Sequence, residues 1–313
     1  MVKIYKTDLE GKLSVISNIE PGCWIDMVMP TDEELTKLSE QLQVSKEFLQ
    51  RGLDKEEQPR VDVESDSKMF VVDVPYVHTR KQYASVKTIP LCIILVRDEY
   101  FVTLSLKENE VLDEFKEGKV KDFYTYKKSR FMIQLLYKIA TSYLKYLNVI
   151  NQNMELAEDA MVKATKNKEL VKLMGLEKSL VYITTSLKSN GIVLEKILKG
   201  NTIDLYVDDQ ELLEDAIIEN NQGIETSNLY SEILSSMTDT FATIISNNLN
   251  VVMKFLAGIT IVLSIPTMVA SFMGMNVPLG PFTDNPMSFV LLVLIAFMLS
   301  LVVAYILKKK DML

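Results

Sequence analysis

Histidine and cysteine are nearly absent from this chain of 313 residues, which has one histidine, His78, and two cysteines, Cys23 and Cys92. The two cysteines lie far apart in an unpatterned context, so neither a disulfide framework nor a thiolate metal site is indicated. No cluster of histidine and cysteine favours a zinc or copper centre. We therefore expect both cysteines to be small core residues and His78 to be an ordinary domain residue.

Clustered positive charge is also missing. The chain carries a formal net charge of −8, and its lysines and arginines are dispersed among carboxylates. Binding of nucleic acid requires clustered basic residues that release counterions, so nucleic acid is not an expected partner. Cations are the better candidates for a ligand.

The sequence also lacks the motifs by which enzymes are recognised. It contains no nucleophile or acid–base constellation, no glycine-rich phosphate loop and no metal-ligand spacing. We therefore do not expect an enzyme.

One long stretch near the C-terminus has almost no charge. From residue 255 to residue 307 the one formally charged residue is Asp284, whereas 24% of the whole chain is charged. Residues 287–307 would span about 31 Å as a helix, which matches the hydrocarbon thickness of a bilayer, and residues 255–275 are similarly long. Residues 276–286 hold three prolines and a glycine, which favour a loop. The pattern predicts a hairpin of two transmembrane helices.

The lysines around the two spans predict their orientation. Lys254 precedes the first span, and the tail 308–313 opens with Lys308, Lys309 and Lys310, whereas the loop has no lysine or arginine. By the positive-inside rule both termini lie in the cytoplasm and the loop is external. The first residues also lack the apolar stretch of a secretory signal. We expect a multi-pass protein of the inner or plasma membrane, with these four lysines as a basic ring at the membrane border.

Residues 1–107 predict a cytoplasmic α/β domain. Runs rich in β-branched and aromatic residues predict strands at residues 12–16, 69–74, 86–96 and 100–105. Two helices are expected between the first two runs. Thr31 opens one with a capping box, and Ser45 opens a shorter one.

Residues 108–254 predict a helical region and a stalk helix, because no proline occurs from residue 91 to residue 265 and the apolar spacing becomes helical. Helix breaks are expected near Asn167, near Asn190–Gly191 and at Gly200–Asn201. A helix that runs from Asp209 through the first span to Met275 would have 67 residues and a length of about 100 Å. Such a helix should pack against its neighbours and against copies of itself, which predicts an oligomer.

The first span carries a polar row. Two spans per chain cannot enclose a water-filled path, so transport would require several subunits around an axis. At steps of three and four residues, one face of the long helix carries mostly small or polar residues, namely Asp239, Thr243, Ser246, Asn250, Met253, Ala257, Thr260, Ser264, Thr267, Ser271 and Gly274. In a bilayer such a row either brings helices close together or lines a pore, and periodicity leaves both possibilities open.

The tripeptide Gly274-Met275-Asn276 ends the first span. A ring of Asn276 carbonyl groups would meet an incoming ion there, and neutral carbonyls can bind the hydration shell of Mg²⁺ without stripping it. The tripeptide alone equally fits a helix that ends at Gly274 with Asn276 in the turn. Its position directly after a polar span is the informative feature.

In layout the whole chain resembles the CorA family of magnesium transporters. An acidic α/β domain, a long stalk helix, two C-terminal spans, a Gly-Met-Asn at the end of the first span and a basic tail follow in that order. The resemblance implies an α+β membrane protein that forms a funnel-shaped homopentamer with the first span lining the pore. It also implies that Mg²⁺ is both transported and bound as a regulator.

The resemblance, aligned on the Gly-Met-Asn, assigns roles within the pore. Polar pore positions fall on Asn276, Thr267 and Asn250, and an apolar gate falls on Met253 and Leu256. Ser264 falls at a position where relatives can have an apolar residue.

The same alignment assigns two carboxylates. An acidic ring in the lower pore falls on Asp239, and an acidic residue of a regulatory magnesium site between subunits falls on Asp215. Taken alone, Asp215 lies in an acidic run that also fits a solvated helix face.

Three features depart from the family pattern. Met273 stands before the glycine where an aromatic residue is common, Val277 replaces a common phenylalanine, and the loop offers Asp284 alone in place of an acidic motif. These departures concern ion selectivity rather than the fold.

The expected function is a passive channel for Mg²⁺ uptake, gated by intracellular Mg²⁺ bound between subunits. A divalent ion gains about 4.6 kcal/mol on entering a cell held at about 100 mV negative inside, so the membrane potential suffices to drive uptake. One alternative is a zinc or cobalt transporter of the same superfamily, and another is a membrane-tethered sensor, which would need no polar row. The expected partners are divalent cations, membrane lipids and further copies of the chain.

Overall fold

The computed structural model of the protein describes residues 1–79, 84–163, 167–200, 202–275 and 287–312. These residues form two compact units, Met1–Met237 and Thr238–Leu313. The predicted external loop, 276–286, lies outside the described residues.

The described part of the first unit contains seven strands and most of the helices. The strands are β1 (Val2–Thr7), β2 (Leu13–Ile16), β3 (Trp24–Val28), β4 (Arg60–Glu64), β5 (Ser67–Thr79), β6 (Ala84–Val96) and β7 (Tyr100–Ser105). The helices of the whole chain are α1 (Asp32–Leu42), α2 (Lys46–Arg51), α3 (Glu110–Lys116), α4 (Lys128–Lys163), α5 (Asn167–Lys199), α6 (Val207–Met273) and α7 (Ser288–Lys309).

The strands form one mixed sheet in the order β2-β1-β3-β7-β6-β5-β4. The pairing of β3 with β7 is parallel, and the other pairings are antiparallel. Strand β3 alternates between two apolar layers, because Ile25 packs among the buried side chains of α1 and α2, whereas the ring of Trp24 lies 5.2 Å from that of Phe131 on α4. The centre of the sheet is therefore buried on both faces, as an α/β layer domain requires.

The structure confirms the four predicted strand regions and both predicted N-caps. Thr31 forms the capping box of α1 with Glu34, and the Ser45 hydroxyl accepts from the backbone N–H of Phe48 at the start of α2. Both cysteines are buried and free, as expected. Strands β1, β3 and β4 were not predicted.

Strand β3 was missed because of a buried charge. Asp26 is 3% exposed within it, accepts a hydrogen bond from the Thr103 hydroxyl at 2.8 Å and pairs with the Lys116 Nζ at 2.8 Å. The ion pair and the hydrogen bond offset the cost of burying the carboxylate.

The helix break predicted near Asn190–Gly191 is wrong, because α5 runs without interruption from Asn167 to Lys199. The Asn190 side chain instead accepts from the backbone N–H of Asp73 and donates to the carbonyl of the same residue, both at 2.8 Å. Asp73 lies on β5 beyond the last residue paired with β4. Asn190 therefore caps an open edge of the sheet rather than ending the helix.

Gly191 serves close packing between α5 and α6. A Cβ atom at Gly191 would lie 3.2 Å from the Asn220 amide nitrogen, which donates to the Leu187 carbonyl at 3.0 Å. One turn further along α6, a Cβ at Gly223 would lie 3.0 Å from the Leu187 side chain. These small residues bring the two helices close together.

The long predicted helix is confirmed. Helix α6 has 67 residues, the expected number, and begins two residues earlier than expected. Both α6 and α7 are long and apolar enough to cross a membrane.

Candidate functional site

In the second unit, α7 covers one side of α6. On α6, Gly258 is buried, and Val262, Ile265 and Val269 are partly buried at helical spacing. The C-terminal end of α6 and the N-terminal part of α7 line one apolar groove, which includes Val269 and Phe289. The two helices are therefore antiparallel neighbours.

The polar row lies on the opposite side of α6. Each hydroxyl residue of this row lies two positions after one of the covered residues, which corresponds to a rotation of about 200° around the helix. The four hydroxyl residues are Thr260, Ser264, Thr267 and Ser271. All four are exposed and line an open groove on α6.

The remaining predicted pore residues continue this row. Asp239, Asn250, Met253 and Leu256 are exposed, the last two at 57%. At about 100° per residue these four side chains and the four above fall within a sector of about 120°. We name this sector the polar face of α6. In a single chain it lacks a covering element among the described residues.

The hydroxyl groups of the polar face donate to their own helix. Thr260 donates to the Leu256 carbonyl at 2.8 Å, Ser264 to Ile261 at 2.8 Å and Thr267 to Leu263 at 3.2 Å. Each hydroxyl proton is thereby satisfied inside an apolar span, as a bilayer demands. The oxygen lone pairs remain available as acceptors.

Helix α6 ends at Met273, two residues before the predicted Met275. The Gly274 N–H donates to the carbonyls of Ala270 at 3.0 Å and Ser271 at 3.2 Å, and Met275 donates to Phe272 at 3.4 Å. A Cβ at Gly274 would meet the Ala270 and Ser271 carbonyl oxygens at 3.6 Å, so nothing described here demands glycine. Asn276 itself lies outside the described residues.

Asp215 is exposed on the part of α6 that belongs to the first unit. Asp208 and Glu211, also exposed, precede it at helical spacing, so three carboxylates share one side of the helix. Among the described residues no three His, Cys, Asp or Glu side chains are grouped to hold a metal ion.

A carboxylate that the sequence did not single out anchors the start of α6. Asp209 is 4% exposed and its Oδ1 lies 3.1 Å from Arg130 on α4. Its neighbour Asp208 is exposed, and a run of acidic residues cannot reveal which member turns inward.

The four lysines expected at the membrane border lie at the ends of the spans. Lys254 is exposed on α6, Lys308 and Lys309 are exposed in the last turn of α7, and Lys310 follows it.

Comparison with known proteins identifies the family. The model of the CorA-like Mg²⁺ transporter protein family matches residues 20–309. The chain belongs to this family. The CorA-like relatives that it matches are named as transporters of magnesium or of cobalt and magnesium.

The similarity extends over the full length of CorA-like proteins. The chain is 28% identical over 298 residues to the cobalt/magnesium transport protein CorA of Methanocaldococcus jannaschii, covering 92% of this chain and 90% of the relative. It superposes on the complete structure of the CorA magnesium transporter from Methanocaldococcus jannaschii with a TM-score of 0.81 at 24% identity, covering 98% and 96% of the two chains. It superposes on the full-length CmaX protein with a TM-score of 0.70 at 16% identity, covering 98% and 97%. The fold of the chain, with its α/β domain, long helix and two apolar helices, is therefore that of CorA.

Proposed function

We propose that several copies of this chain form a passive Mg²⁺ channel around an axis lined by the polar face of α6. The observation that carries the proposal is the position of this face, which is exposed and turned away from α7. An exposed row of hydroxyl groups on a transmembrane helix favours water or another helix beside it, because the hydroxyl oxygens still have free lone pairs. A homopentamer, as the family resemblance implies, would supply both.

The chemistry of the polar face suits a hydrated divalent ion. Mg²⁺ releases its water reluctantly and prefers oxygen ligands. Neutral oxygens from Thr267, Asn250 and Asn276 would accept hydrogen bonds from its hydration shell, without binding the ion too tightly for release. Met253 and Leu256 would form an apolar gate. Carboxylates of the stalk helix would attract the cation at the cytoplasmic end, and Asp239 is the one nearest to this gate.

Gating would follow from the exposed carboxylates near Asp215. Acidic side chains from adjacent subunits repel each other unless a hard cation lies between them. Bound intracellular Mg²⁺ would hold the subunits in a closed arrangement, and loss of the ion would release them. Uptake driven by the membrane potential would then stop when the cytoplasmic concentration of Mg²⁺ is high enough to fill this site.

The test is Mg²⁺ uptake into proteoliposomes under an inside-negative potential, with the wild-type chain and Asn276→Ala. We expect uptake by the wild-type chain and a loss of about tenfold or more in the variant, because a ring loses all its amide oxygens at once. Asn153→Ala is the matched control, since it removes an exposed amide from α4.

The other outcomes identify the alternatives. Transport of Co²⁺ or Zn²⁺ in preference to Mg²⁺ would favour the related transporter. Folded protein that conducts no divalent ion would contradict the channel and favour a membrane-tethered sensor.

A further inference from the structure

Helix α7 carries a row of exposed side chains whose chemistry changes along the helix axis. The row follows steps of three and four residues and consists of Met298, Val302, Tyr305 and Lys309. Ala296 and Ser300, which are buried, precede the first two members by two positions and so lie on the opposite side. The row therefore faces away from α6, and Tyr305 in it is 71% exposed.

The lysines of both helices lie at the same level as the end of this row. Gly274 and Phe289 line one groove, so the outer ends of the two antiparallel helices are level. Lys254 precedes Gly274 by 20 residues and Lys309 follows Phe289 by 20 residues. At 1.5 Å per residue both lysines lie about 30 Å from the groove, which is the thickness of the hydrocarbon core.

Positive charge at this level has no ion-pair partner among the residues that the structure describes. Among the described residues, none of the lysines 254, 308, 309 and 310 forms an ion pair, and all four are exposed. Asp311 is the one acidic side chain within three residues of them along the sequence. A net positive surface thus borders an apolar surface, with a phenol between them.

We propose that this surface binds the headgroup of an anionic phospholipid. The proposal depends on the proposed function in one respect, because an axis lined by the polar face of α6 leaves α7 outermost, against lipid. Met298 and Val302 would contact an acyl chain, the Tyr305 hydroxyl would donate a hydrogen bond at the ester or phosphate level, and the lysines would pair with the phosphate. The order of these groups matches the order of groups in a phospholipid from tail to head.

The test measures lipid selectivity in the reconstituted full-length protein, without requiring transport. Spin-labelled phosphatidylglycerol and phosphatidylcholine are compared by the fraction that the protein immobilises. The wild-type chain should immobilise phosphatidylglycerol in preference to phosphatidylcholine. In the triple variant Lys308→Gln, Lys309→Gln, Lys310→Gln the ratio of the two immobilised fractions should fall, by up to roughly fivefold for each lysine removed. The corresponding triple arginine variant keeps the charge and should keep the preference.

Three results separate this proposal from its rivals. Equal selectivity in the wild-type and triple glutamine proteins would overturn it. A triple glutamine variant with altered Mg²⁺ uptake but unchanged lipid selectivity would also overturn it, because the lysines would then act on the permeating ion. A third result is a protein that conducts no Mg²⁺ but loses its selectivity for phosphatidylglycerol when the lysines are replaced. This result would support the lipid site, and it would contradict only the proposed channel.

Discussion

Asn190 illustrates how one side chain decides between a helix break and a helix contact. Asparagine followed by glycine normally indicates a turn, yet here the amide forms two hydrogen bonds with the backbone of Asp73 and the helix continues. Such a pairing depends on a strand more than a hundred residues away, so local sequence patterns do not contain it.

Replacement of Asn190 by alanine should destabilise the protein. The backbone N–H and carbonyl of Asp73 would lose their partners at the sheet edge, at a cost of about 1 to 3 kcal/mol in the free energy of unfolding. Denaturant unfolding of the full-length protein measures the change. Asn153→Ala removes an amide that bonds its own helix at an exposed site, and should change stability by less than about 0.5 kcal/mol. Equal effects of the two variants would contradict the role assigned to Asn190.

Asp73 should make stability dependent on pH. Burial raises the pKa of its carboxyl, and the hydrogen bond from the Ser186 hydroxyl at 2.6 Å offsets only part of this rise. The folded state therefore holds the proton at a pH where the unfolded chain has released it. The free energy of unfolding falls as the pH rises from the ordinary pKa of aspartate towards the raised pKa of Asp73.

Asp73→Asn should remove this fall and raise the melting temperature at neutral pH, because an amide can still accept from Ser186. Thermal melting between about pH 4 and pH 8 tests the expectation. Asp66→Asn, at an exposed turn, should keep the wild-type dependence on pH. The interpretation fails if Asp73→Asn and the wild-type chain show the same slope.

At the scale of elements, two sides of helix α6 serve different contacts. The side towards α7 holds the hairpin together, and the other side is free to contact water or another copy. Close packing and pore lining, which periodicity could not distinguish, predict different responses to loss of a hydroxyl group.

Thr267→Val should lower the rate of Mg²⁺ uptake severalfold, because it removes an oxygen from the proposed pore wall and keeps the shape of the side chain. The matched control is Ser300→Ala on α7, whose hydroxyl donates to its own helix at 2.9 Å on a buried side. This control should leave uptake unchanged. A row that serves only close packing would tolerate valine at position 267 without loss of uptake.

The extent of sequence-based prediction differs between elements for physical reasons. The full length of helix α6 was predicted because proline is absent and the apolar spacing is regular up to Pro266. The helix continues through Pro266 to Met273. Strand β4 was missed because its sequence, Arg-Val-Asp-Val-Glu, places charges at an edge of the sheet where solvent reaches them. The polar face could be listed from the sequence, but its direction relative to α7 required the packing of two helices. The roles of Asp215 and Asn276 stay predictions.

At the scale of the whole molecule, regulation should depend on Asp215. The wild-type protein should stop Mg²⁺ uptake when the ion is present on the cytoplasmic face, whereas Asp215→Asn should continue to conduct, because neutral amides from neighbouring subunits no longer require a cation between them. Uptake by proteoliposomes with and without internal Mg²⁺ measures the difference. Glu232→Gln removes an exposed carboxylate elsewhere on α6 and should keep the suppression. Suppression that survives in Asp215→Asn would move the sensor to another site.

In the proposed pore, the internal hydrogen bonds of Thr260, Ser264 and Thr267 would also determine the sign of the charge on the ions that the wall can solvate. Their protons are engaged by carbonyls of the same helix, so these hydroxyls offer incoming solutes only lone pairs. Chloride and phosphate need hydrogen-bond donors and find none in these three groups, whereas the water shell of a cation consists of donors. A wall made of these three groups would discriminate against anions although the groups carry no formal charge, and a cation that passes them would not be held there by a carboxylate.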